Sequence, residues 1–111
     1  MATDPETAAF AAEQMAGAGH ISLRKMFGEY AVYLEGKVVA LICDGQLFVK
    51  RTPGTQALLP DPQMAPPYPG AKPHIAADAL LDEPEALAAL VAAVARDLPA
   101  PKPKKPRQPK G

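Results

Sequence analysis

At 111 residues, with 48% hydrophobic side chains, three Phe, three Tyr and no Trp, the chain can form one domain with a modest aliphatic core. Its net charge of zero hides a division: residues 99–111 carry five cations and no acid, and the other seven bases face all twelve acids, a net of −5. No run approaches the roughly 18 apolar residues of a membrane span, no basic and apolar leader opens the chain, and the single cysteine excludes an internal disulfide; the expectation is a cytoplasmic protein, with Cys43 a small buried hydrophobe in a strand.

A first helix is predicted from Asp4-Pro5. Asp4 can accept the free N–H groups of the first turn, Pro5 suits the first helical position, and Glu6 complements the helix dipole. Phe10, Ala11 and Met15 are expected to face inward, and Gly17 and Gly19 to end the helix. Ile21 to Phe27 reads as a lead-in strand, interrupted at Gly28 by a bulge or a bend. Three strands follow at about 29–34, 37–43 and 46–51. Two-residue turns at Glu35-Gly36 and Asp44-Gly45 join them; the second is the stronger, because Asp tolerates the positive φ of a type I′ turn better than Glu does.

Two-residue loops fix a register. Leu34 opposes Lys37, Val32 opposes Val39 and Tyr30 opposes Leu41; across the next turn Cys43 opposes Gln46, Leu41 opposes Phe48 and Val39 opposes Lys50. Alternation then gives one face with Tyr30, Val32, Leu34, Val39, Leu41, Cys43 and Phe48, and another with Ala31, Tyr33, Val38, Ala40, Ile42, Leu47 and Val49. Both are apolar, whereas a half-exposed sheet has one polar face. Two helices cover one of them. The other needs a second copy of the chain, which predicts a homodimer, or the proline-rich segment folded across it.

Thr52 and Pro53 predict a short helix to about Leu59. Six prolines between Pro60 and Pro73 exclude a helix and a central strand, leaving a long extended loop. Lys72 to Ala76 reads as an edge strand. The last helix starts at Glu83-Pro84-Glu85, carries Leu87, Leu90, Val91, Val94 and Leu98 at helical spacing, with Leu80 or Leu81 stapling its entry, and stops at Pro99. Residues 1–98 thus form the domain. The remainder, PAPKPKKPRQPKG, holds nothing that could offset the cost of ordering and is expected to be a disordered, polyproline-like basic tail.

The stretch RKMFGEYAVYLEGKVVALICDGQLFVK resembles the N-terminal domain of the TfoX/Sxy family, bacterial regulators of natural competence. The resemblance is carried by Arg24, Met26, Phe27, Gly28, Tyr33, Gly36 and Lys50, and by the ending LLDEPEALAALVAAVA; it covers about residues 5–98. It implies an α+β, two-layer, secretion-chaperone-like fold, an antiparallel β-meander flanked by N- and C-terminal helices. A basic tail stands where full-length family members carry a second, helical domain, so a stand-alone N-terminal-type domain is expected, one that acts by protein contact with a partner in transcription.

The candidate partner-binding residues are Arg24, Lys25, Met26, Phe27, Gly28, Tyr33 and Lys50: cations beside large apolar side chains suit a protein or phosphate partner. A structural reading stands beside this one, with Met26 and Phe27 filling the joint between sheet and helix and Gly28 permitting the bend. The register separates Lys50, near the Glu35-Gly36 turn, from Arg24 and Lys25, which extend toward Asp44-Gly45. Lys102, Lys104, Lys105, Arg107 and Lys110 are candidate nucleic-acid contacts, able to bind phosphate backbones weakly and without sequence preference, or else to solubilise the chain. Ser22 is the sole serine, His20 and His74 are isolated, Asp82, Glu83 and Glu85 mark a helix start, and no glycine-rich phosphate loop occurs. No enzymatic activity, cofactor or metal is expected.

Overall fold

A computed structural model describes residues 3–99. The helices form where the capping chemistry places them. Helix α1 (Pro5–Met15) opens with the Asp4 carboxylate accepting from the Glu6 N–H, and α2 (Pro53–Leu58) opens with a reciprocal box in which Thr52 and Thr55 each accept the other's backbone N–H. Helix α3 (Pro84–Asp97) closes with the Lys37 ammonium donating to the carbonyls of Ala95 at 2.7 Å and Leu98 at 3.2 Å, a cation at the negative end of the helix dipole.

Six strands make one antiparallel sheet: β1 (Ile21–Met26), β2 (Glu29–Leu34), β3 (Lys37–Cys43), β4 (Gln46–Val49), β5 (Met64–Ala65) and β6 (His74–Ala76), in spatial order β1-β2-β3-β4-β6-β5. The helices pack on one face of it, the two-layer α+β arrangement expected. Three two-residue turns join β1 to β4. Phe27-Gly28, Glu35-Gly36 and Asp44-Gly45 all have positive φ at both central positions, the type I′ pattern that matches strand twist. Glu35 tolerates this because its carboxylate accepts from the His20 N–H at 2.9 Å while its own N–H donates to the His20 carbonyl at 3.1 Å.

Several expectations are corrected. Strand β6 is not an edge: it lies between β4 and β5, and the proline-rich segment supplies the two-residue edge strand β5. Phe10 does not face inward. It is 45% exposed, and the buried stripe of α1 is Ala8, Ala11 and Met15. Gly28 is neither a bulge nor a bend within a strand but the second residue of a hairpin turn.

The largest correction is one of register. Leu34 opposes Lys37 and Tyr33 opposes Val38, but then Val32 opposes Ala40, Ala31 opposes Leu41 and Tyr30 opposes Ile42. Val39 is an extra residue, a β-bulge, and it shifts every later β3 side chain to the other side relative to β2. The pairing of β3 with β4 is as predicted, so β4 moves with β3. The helix-covered face therefore carries Val32, Leu34, Val39, Ala40, Ile42, Leu47 and Val49, all buried with Leu87, Val91 and Val94 of α3. Leu41, Cys43 and Phe48 join Ala31, Tyr33 and Val38 on the opposite face.

Candidate functional site

On that opposite face the sheet alternation lines up Arg24, Ala31, Leu41 and Phe48 in one row across the strands, with Met26, Glu29 and Cys43 in the next. The proline-rich segment folds against this end of the face. Pro67 is buried, and Pro67, Tyr68 and Pro69 form one wall of a groove of about 640 Å³ whose other sides include Met26, Phe27, Leu41 and Cys43. Tyr30 also lines it while packing in part on the core. Farther along, Tyr33, Val38 and Leu41 are half-buried.

The groove collects three of the large apolar side chains that the described residues leave in water: Met26 at 40%, Tyr68 at 55% and Phe27 at 102% of the reference area. Phe27 sits at the tip of the β1–β2 hairpin with φ +50°, so the reading in which it fills a joint between sheet and helix does not hold. A bulky side chain rarely adopts a left-handed backbone, and here its ring gains no burial.

The tip is tied from behind by hydrogen bonds. The Thr3 N–H donates to the Gly28 carbonyl at 3.0 Å, its hydroxyl donates to the Glu29 Oε1 at 2.6 Å, and its oxygen accepts from the Gly45 N–H at 3.1 Å. Glu29 Oε1 also accepts from the Asp44 N–H at 2.9 Å. Two hairpin tips, Phe27-Gly28 and Asp44-Gly45, are thereby tied through one buried threonine. The Thr3 hydroxyl, with the Asp44 N–H adding to it against partial burial, holds the Glu29 carboxyl below the usual carboxylate range. Burial, and then the negative charges of Glu29 and Asp44, push the Cys43 thiol up, so it stays protonated at neutral pH and is a poor nucleophile.

The structure divides the other candidates. Arg24 and Lys25 fall on opposite sides of β1, Arg24 on the groove side. Tyr33 and Lys50 lie on the groove side too, but Lys50 is level with the bulge, where its N–H donates to the Val39 carbonyl at 3.0 Å. Arg24 on β1 and Lys50 near β4 are three strands apart, roughly 14 Å, so they form no single basic patch. The candidate nucleic-acid contacts Lys102, Lys104, Lys105, Arg107 and Lys110 lie outside the described residues. His74 Nδ1 sits 2.9 Å from the Lys72 carbonyl, and among the described residues no cluster of three or more His, Cys, Asp or Glu could hold a metal ion. No helix among them is long and apolar enough to cross a membrane. Thr3, Glu29 and Tyr68 were not expected at the site; the one signal in the sequence was Tyr68, the lone aromatic in the proline run.

Comparison with known proteins agrees with this architecture. The family model of the TfoX N-terminal domain matches residues 13–97. An uncharacterized 12.7 kDa protein in the trpE 5′ region of Spirochaeta aurantia is 39% identical over 105 residues, covering 95% of this chain and 91% of that protein.

Proposed function

The chain belongs to the TfoX N-terminal domain family, and on that premise we propose that it is a non-enzymatic regulatory or adaptor domain that acts by protein contact, with the groove beside Phe27 as the contact surface and the cytoplasm as its place of action. One observation carries the reading: a fully exposed aromatic ring on a left-handed backbone, beside Met26 and Tyr68. Such a placement costs stability and returns none within the chain, the pattern of a contact made with something else. Aromatic side chains beside a concave apolar surface, flanked by Arg24, are also the residue types that dominate protein interfaces. The family resemblance favours a partner in transcription.

Affinity capture with the full chain tests this. Phe27→Asn, or Arg24→Glu combined with Lys25→Glu, is expected to release a partner that the parent chain retains, while the fold persists by circular dichroism. Retention of every captured partner by both variants refutes the surface assignment.

A further inference from the structure

Strand β1 is one edge of the sheet, and its six residues make it much longer than β5, the two-residue strand at the other edge. The hairpin with β2 decides which of its backbone groups are taken. A two-residue turn makes Met26 and Glu29 a hydrogen-bonded pair, and such pairs alternate along an antiparallel ladder. Met26, Arg24 and Ser22 therefore bond to β2, and the Glu35 N–H on the His20 carbonyl continues the series. Ile21, Leu23 and Lys25 point their N–H and C=O groups the other way. Among the described residues no hydrogen bond takes these groups up. An open edge of this length is a template for another strand. We infer that β1 pairs antiparallel with β1 of a second copy about a two-fold axis at Leu23, joining two sheets into one across a homodimer.

The edge is complementary to itself. A two-fold at Leu23 sets Ile21 against Lys25 of the second copy and Ser22 against Arg24 of the second copy. The three outward residues of each strand then exchange about six main-chain hydrogen bonds, and no cation opposes a cation. A two-fold at Arg24 would set Arg24 against itself. A two-fold at Ser22 would carry the ladder into Gly19, whose φ of +143° ends the extended strand. Antiparallel pairing also brings ends of opposite charge together. Lys25 of each copy comes beside the His20 end of the other, where the Glu35 carboxylate accepts from the His20 N–H at 2.9 Å. Lysine on an edge strand discourages pairing with unlike strands; in this register it meets an apolar side chain with a carboxylate beyond it. The assembly also closes. Both β1 edges are used, and the short β5 strands are left at the outer ends, so the product is a dimer and not a fibre. In this dimer the second copy meets the strand edge, not the apolar face, and the contact is independent of any partner held in the groove.

Sedimentation of the full chain over a range of concentration is expected to show the mass rising from 11.7 kDa toward twice that value. Amide hydrogen exchange reads the register in the same samples. Ser22 and Arg24 exchange slowly at every concentration, whereas Leu23 and Lys25 exchange fast in dilute solution and slow by about tenfold or more as the mass rises. Leu23→Pro removes an outward N–H without costing a hydrogen bond to β2, and proline is accepted on an edge strand. It is expected to weaken association by about tenfold or more while the circular dichroism spectrum is kept; if this variant fails to fold, the exchange pattern of the parent chain decides. Phe27→Asn, beyond the paired residues, leaves association unchanged. A chain that keeps the mass of one protomer up to about 1 mM overturns the proposal. So does association in which the Leu23 and Lys25 amides stay fast, or which Phe27→Asn abolishes, since the copies then meet through the groove face.

Discussion

Replacing Phe27 by Asn separates stability from binding. The three type I′ turns place Phe27, Glu35 and Asp44 at nearly the same φ, +50°, +52° and +52°. Asp is suited to that backbone, and Glu35 is held there by its two hydrogen bonds with His20. Phe27 has neither aid. A side chain other than Gly, Asn or Asp in this region costs roughly 1–2 kcal/mol, and Asn recovers part of that. The ring is fully exposed, so its removal forfeits almost no burial. The hydrogen bond from Thr3 N–H to the Gly28 carbonyl involves backbone alone and survives. Phe27→Asn is therefore expected to stabilise the fold by about 0.5–1 kcal/mol, which for a domain of this size raises Tm by roughly 2–5 °C. Urea unfolding followed by circular dichroism measures it, with an unchanged m-value. A loss of stability, or a lowered m-value, refutes the reasoning, because the ring would then be packed against something within the protein.

Thr3→Val keeps the shape of the side chain and removes the hydroxyl that joins the two hairpin tips. It leaves the Gly45 N–H without its acceptor and takes one donor from Glu29, a loss expected to cost about 1–2 kcal/mol in urea unfolding. In the same variant the Glu29 pKa, followed by NMR, should rise toward the ordinary range. The Thr52 hydroxyl, and then the Gly54 N–H at 2.6 Å, hold the Asp97 carboxyl below its usual range and tie α2 to the end of α3. A carboxyl with a lowered pKa in the folded state contributes stability above its unfolded value and loses it as pH falls through the folded one. Asp97→Asn is thus expected to flatten the decline in Tm below about pH 4; an acid limb as steep as the parent's would show that the contact is not made.

The elements legible in the sequence were those specified by local chemistry. Asp4-Pro5 and Thr52-Pro53 fix helix starts through a side-chain acceptor and a preset φ, and the wide apolar stripe of α3 needs no other element to be recognised. The turns at Glu35 and Asp44 followed from Gly at the second central position. Phe27-Gly28 carries the same glycine, but an aromatic residue is a poor candidate for a left-handed backbone, so the sequence gives no clear hairpin signal there. The short β5–β6 pair was hidden for another reason. Its strands are two and three residues long among prolines, and their order in the sheet is decided by contacts with β4 that no local pattern encodes.

The bulge at Val39 joins the illegible part of the fold to the site. The β3 sequence KVVALIC is apolar at nearly every position, so alternation gives no sign of one inserted residue. Its effect is nevertheless large. Val39 and Ala40 both turn into the core, which lets a strand contribute two adjacent side chains to the layer beneath α3. Every side chain beyond them is then committed to the opposite sense from the regular ladder. In that ladder Leu41, Cys43 and Phe48 would face the same side as Val32 and Leu34, and Ala40, Ile42, Leu47 and Val49 would lie outside. With the bulge, Leu41 and Cys43 instead form part of the groove, and the Asp44-Gly45 tip comes within hydrogen-bond reach of Glu29 and Thr3. One extra residue in mid-strand thus positions the apolar surface at Leu41 and the carboxylates at the far end of the sheet. Phe27 is then left in water beside that surface.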